Sequence, residues 1–125
     1  EGLALFEHSD VPAHPELFLD LQPEGTSGVA RLLDPDALYV ACRWVYTDTP
    51  RGWLRQSKVT VYNPENEKSV QVQPVDWGPN IATGRVADLS PGVLKALGLV
   101  TGDLVTVTIP LPGEPALGGL TLGPA

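Results

Sequence analysis

The order of apolar and polar positions divides the chain into an unpatterned first third and a sharply patterned remainder. Residues 38–46 read LYVACRWVY, dense in β-branched and aromatic side chains, and predict a strand. The TDTPRG that follows at 47–52 is turn chemistry. Val59 and Val61 then alternate with Lys58, Thr60 and Tyr62; after a break at 63–67, Val70 and Val72 alternate with Gln71 and Gln73. Such a pair of runs predicts a hairpin with one buried face. Residues 74–90 predict a loop flanked by short apolar pieces. Ser90 and Pro91 are suited to cap and open a helix, Val93, Leu94, Ala96 and Leu97 supply its apolar face, and Gly98 suits its left-handed stop. A helix over 91–97 is therefore expected. Val105, Val107 and Ile109 share one face of a last strand over 104–109.

Residues 1–36 show no such period. They mix acids, prolines and pairs such as Phe18 and Leu19, too many apolar groups for a purely solvated tail. An extension packing on the outside of the following domain is expected, with a short helical turn near 15–21. The stretch 111–125 is rich in Pro and Gly and predicts a loosely held tail. Between them, residues 37–110 form the folded domain. Several short strands with one late helix indicate a mainly β fold, a small barrel rather than a parallel α/β sheet.

Composition narrows the function classes. The 125 residues suffice for one domain, and thirteen glycines with thirteen prolines favour strands and turns over a helix bundle. No apolar stretch approaches the roughly 18 residues of a membrane-spanning helix. The net charge is −7, with eight acids and one base in residues 1–36 and seven of each in the remainder. No basic face is available to neutralise phosphates, so nucleic acid is not an expected partner. Cys42 is the single cysteine, which excludes an intramolecular disulfide and a cysteine-built zinc site. His8, Asp10 and His14 match no familiar ligand spacing, and neither metal nor cofactor is expected. The chain begins at Glu1 and has no methionine, as expected of a trimmed or mature form.

Two clusters carry the chemistry: Val75-Asp76-Trp77-Gly78-Pro79, and Gly84-Arg85-Val86-Ala87-Asp88-Leu89-Ser90 running into the helix. Together with the helix end at Ala96-Leu97-Gly98-Leu99, they resemble the Asp-x-Gly-Pro loop and Arg-x-x-Asp-Leu-Ser segment of the rare lipoprotein A family. That family shares its barrel with expansins, family 45 endoglucanases and a class of lytic transglycosylases. The resemblance spans about residues 38–109. It implies a six-stranded double-psi β-barrel, a monomer outside the cell or in its envelope, and cleavage of peptidoglycan glycan strands. Expansin-type relatives imply the alternative, a polysaccharide-binding or wall-loosening module without catalysis. Ala41-Cys42-Arg43 stands where the lytic members carry an Ala-His-Arg-like segment, and Trp77 stands where they carry a cation.

The resemblance makes Asp76 and Asp88 the candidate catalytic groups. Glycosidic cleavage needs an acid for the leaving oxygen and a second group, or an internal sugar hydroxyl, to complete the displacement. Asp88 also has a purely structural role open to it, receiving N–H groups at the start of the helix. Trp77 is a candidate to stack on a sugar ring, with Trp53 and Tyr46 extending the platform, whereas Trp44 suits the core. Arg85 is a candidate to hold a substrate carboxylate or N-acetyl oxygen, or else to pair with Asp76 or Asp88. Cys42, inside an apolar strand with both histidines in the extension, suits burial better than nucleophilic work.

Overall fold

The computed structural model describes residues 2–22 and 24–125, and the side chains of all of these but 114–122. The fold is mainly β. Strands β1 (Tyr39–Cys42), β2 (Val59–Asn63), β3 (Lys68–Trp77), β4 (Ala87–Leu89), β5 (Leu104–Leu111) and β6 (Glu114–Pro124) make one six-stranded sheet in the order β4-β1-β3-β2-β5-β6. The sheet curls into a nearly closed, barrel-like form. Its edges meet where the Val86 N–H donates to the Pro124 carbonyl at 2.7 Å. The approach at this seam is close: a Cβ on Gly123 would stand 2.5 Å from Val86 Cγ1, so Val86 would have to shift to admit one.

Alternation sets the inside of the barrel. Val40 and Cys42 of β1, Val59 and Val61 of β2, and Val105 and Val107 of β5 are all buried, while Ala41, Thr60 and Thr106 between them are only half-buried. Helix α2 (Pro91–Leu97) begins and ends as its sequence signals require. Ser90 Oγ accepts the Val93 N–H at 3.2 Å and donates to the Ala37 carbonyl at 2.6 Å, and Gly98 closes the helix at φ 66°. The approach of the preceding chain is so close that a Cβ on Gly92 would lie 2.5 Å from the Asp36 carbonyl oxygen.

β1 and β3 run parallel, and their register jumps from Val40–Pro74 to Ala41–Asp76, leaving Val75 as a bulged extra residue. β2 pairs with β3 only as far as Val72. Beyond that point the Val75 carbonyl accepts the Leu5 N–H at 3.2 Å, so the N-terminal segment takes over where β2 leaves off. Leu5, Phe6, Leu17, Phe18, Val29 and Leu32 join the barrel interior in one hydrophobic cluster. Phe6 packs edge-on against Phe18 and His14, under the Arg55 guanidinium. Asp10 pairs with Arg55 at 2.6 Å, and Arg51 Nη2 donates to the Leu5 carbonyl at 3.0 Å. The expected turn near 15–21 is a single one, Phe18 N–H to His14 carbonyl at 3.1 Å; short 3-10 helices lie at His8–Ala13 and Val29–Leu32.

Four expectations are corrected. The first strand stops at Cys42 rather than Tyr46, because Arg43 turns away to clasp two carbonyls of a distant loop. Residues 51–56, read as turn and loop, form helix α1 (Arg51–Gln56); at six residues it is too short to display a helical period, and Gly52 obscures it further. β3 extends through Asp76 and Trp77, where a loop was expected, because Pro74 and the Val75 bulge break the alternation. Residues 111–125 are not a loose tail: β6 pairs antiparallel with β5 from Leu104–Pro124 to Leu111–Glu114. Main-chain pairing needs no alternating pattern, so composition concealed it.

Candidate functional site

Asp76 and Asp88 are brought into one row. Ala41 of β1 is the register partner of Asp76 on β3 and of Asp88 on β4. Residues directly opposite each other point to the same face, so both carboxylates share the side of the sheet on which Ala41 lies. That side is the outer one, because Val40 and Cys42, Ala87 and Leu89 all turn inward. Two strand spacings set the aspartate backbones about 10 Å apart.

Their surroundings differ. Asp76 is half-buried, and its Oδ1 accepts the Ala4 N–H and the Trp77 N–H, both at 2.9 Å. The N-terminal segment therefore touches the candidate acid directly. Asp88 keeps 65% of its side chain exposed, and among the described residues its hydrogen-bond partner is Arg85 Nη2, at 3.4 Å. Of its two possible roles, helix capping falls to Ser90 and not to Asp88. Arg85 also donates from Nη2 to the Ala87 carbonyl at 3.3 Å, and its buried Nε has no partner among the described residues. Burial, with added repulsion from Asp88 and Asp34, raises the Tyr39 hydroxyl above its ordinary range.

Trp77 sits at the end of β3 with 45% of its surface exposed, and its Nε1–H donates to the Trp44 carbonyl at 3.0 Å. Trp44 is buried and meets Tyr46 edge-on at 5.9 Å, leaving Tyr46 exposed. Val45 and Ile81 add exposed apolar surface on the flanking loops. Arg85 thus lies beside Asp88, whereas Trp77, at the end of β3, is the register partner of the inward-facing Cys42, and Tyr46 lies on the connection between β1 and α1. Trp53 does not join the aspartates. It lies on α1, its Nε1–H donates to the Pro110 carbonyl at 2.8 Å, and neither aspartate lines the cavity beside it.

Arg43 is the residue the sequence pattern left without a role. Its Nη1 donates to the Pro79 carbonyl at 2.6 Å and the Arg85 carbonyl at 2.9 Å, tying both ends of the loop between the aspartates. A guanidinium within an otherwise apolar run was the available signal, since such a group must find acceptors if it is partly buried. Cys42 is 1% exposed, and burial pushes its thiol up to about 12 against a weaker pull from Arg43, so it is a neutral core group. His14 Nδ1 faces Glu16 Oε1 at 3.0 Å while Asp10 faces Arg55, so His14 and Asp10 are engaged in other contacts. Among the described residues no cluster of three metal-ligating side chains occurs, and no helix is long and apolar enough to cross a membrane.

No protein-family model matches the chain, and no curated protein matches it.

Proposed function

We propose that the chain is a double-psi β-barrel of the rare lipoprotein A type that cleaves bacterial cell-wall glycan in the envelope or outside the cell. The observation that carries this reading is the Asp88–Ala41–Asp76 row on the solvent side of three adjacent strands. Asp88, the more open carboxyl, gives a proton to the leaving glycosidic oxygen. Asp76, held in place by two backbone N–H groups, takes a proton from water, or from the muramyl C6 hydroxyl in the transglycosylase variant of the reaction. A backbone separation of about 10 Å suits the roughly 6.5–9.5 Å carboxyl spacing of inversion better than the roughly 5–5.5 Å of retention. Trp77 and Tyr46 offer ring faces to the pyranose, and Arg85 offers N–H groups to an acyl or carboxylate oxygen.

A second reading, a polysaccharide-binding or wall-loosening module without catalysis, is favoured by one specific contact. Asp76 Oδ1 is already occupied by the Ala4 and Trp77 amides. Purified sacculi separate the two. Cleavage releases soluble muropeptides, with anhydro ends from transglycosylation or reducing ends from hydrolysis, and Asp76→Asn or Asp88→Asn lowers the release by about a hundredfold or more. Co-sedimentation with sacculi but no soluble product, unchanged in both variants, establishes the binding module instead.

A further inference from the structure

Away from the aspartates, a second outward-facing row crosses the sheet. Thr60 of β2 is the register partner of Gln71 on β3 and of Thr108 on β5. The alternate residues Val59, Val61, Val72 and Val107 are buried, so Gln71, Thr60 and Thr108 project outward together, about 5 Å from one to the next. Helix α1 stands over one end of this row and supplies Trp53 and Gln56. The result is a cavity of about 560 Å³, within the roughly 300–1,000 Å³ range of small-molecule sites.

Its lining is chemically one-sided. Among the described residues its apolar contribution is the Trp53 indole and Pro110. Among the described residues Lys58 is its one charged group and is already within 3.4 Å of Gln73 Oε1, too little cation for a polyphosphate. What remains is hydroxyl and carboxamide groups, each able both to donate and to accept, at regular spacing beside a large aromatic ring. The indole is pinned by its N–H bond to the Pro110 carbonyl, so its position costs no ordering on binding.

We infer that this cavity is a saccharide-binding subsite, in which Trp53 packs against a sugar ring while Gln71, Thr60 and Thr108 hydrogen-bond its hydroxyls. The choice of ligand class deepens the polysaccharide reading above and rests on it, but the subsite needs no catalysis by Asp76 or Asp88.

The test is calorimetric titration of the full chain with the tetramer of N-acetylglucosamine, accompanied by tryptophan fluorescence. Thr60→Val with Gln71→Ala, both on the solvent side of the sheet, is expected to weaken binding about tenfold or more while thermal unfolding stays unchanged. Trp53→Ala is expected to weaken it further and to remove the fluorescence response. Trp53→Phe keeps a ring and retains most of the affinity, a control for the case where the alanine variant unfolds. Asp76→Asn and Asp88→Asn are expected to bind the tetramer as the parent does, even if sacculus digestion fails. No binding of the tetramer, or binding indifferent to Thr60, Gln71 and Trp53 and lost in Trp77→Ala, overturns the assignment.

Discussion

The wall made by β4, β1 and β3 and the wall made by β3, β2 and β5 each hold three outward residues in register, yet they meet different fates. On the first, the row Asp88–Ala41–Asp76 is partly covered, because the N-terminal segment reaches Asp76 through the Ala4 amide. On the second, Gln71–Thr60–Thr108 floors an open cavity with α1 to one side. The difference traces to where β2 ends. Past Val72, β3 has main-chain acceptors free for Leu5, whereas along β2 and β5 neighbouring strands occupy the backbone. A strand's free edge recruits further chain, and a strand already paired on both sides does not.

The sharpest way to break this comparison is to remove the anchor of the covered wall. Phe6 is 1% exposed within the shared cluster, and Phe6→Ala is expected to cost about 3–5 kcal/mol in denaturant unfolding. Gln71→Ala on the open wall should stay within about 0.5 kcal/mol. Equal effects would mean that the two walls are not differently covered. Next in size is Gly92→Ala, which forces a Cβ against the Asp36 and Ala37 carbonyls at 2.5 and 2.8 Å. Backbone cannot yield as a side-chain tip does, so a loss of about 1–3 kcal/mol is expected by thermal unfolding. A neutral result would show that residues 36–37 stand clear of α2.

The smallest effect concerns charge. Asp10 is held below its ordinary value of 3.8 by hydrogen bonding with the Glu7 backbone, against some burial, and then by Arg55. A carboxyl lowered on folding stabilises the fold above its unfolded value and loses that contribution as pH falls through the folded one. Asp10→Asn should therefore cost less than about 1 kcal/mol at neutral pH and flatten the stability profile below about pH 4. A profile identical to the parent's would detach the N-terminal segment's acid sensitivity from this pair.

The central hairpin and α2 were legible because their signals are local. Val59 and Val61 against Val70 and Val72 declare a two-residue period, and Ser90, Pro91 and Gly98 declare a helix's ends. Asp76 and Asp88 were legible as candidates, but their common partner Ala41 was not, since register is a property of three strands at once. Likewise Trp53 was legible as a binding candidate while its neighbours were not. Thr60, Gln71 and Thr108 are ordinary strand polar residues until pairing aligns them. The bulge at Val75 hid the end of β3 for the same reason, being defined only against β1.

The hydrogen bond from Ala4 to Asp76 joins positions 72 residues apart, and the seam bond joins Val86 to Pro124. Neither can form early: each requires a large loop of chain to be gathered before any reward is received. The order of assembly follows. The 59–77 hairpin, whose halves are neighbours in sequence, is the natural first piece, and the N-terminal segment must wait until its docking edge on β3 exists. Until that edge exists Leu5, Phe6, Leu17 and Phe18 lack the cluster they join in the fold, in a stretch that carries eight acids against one base.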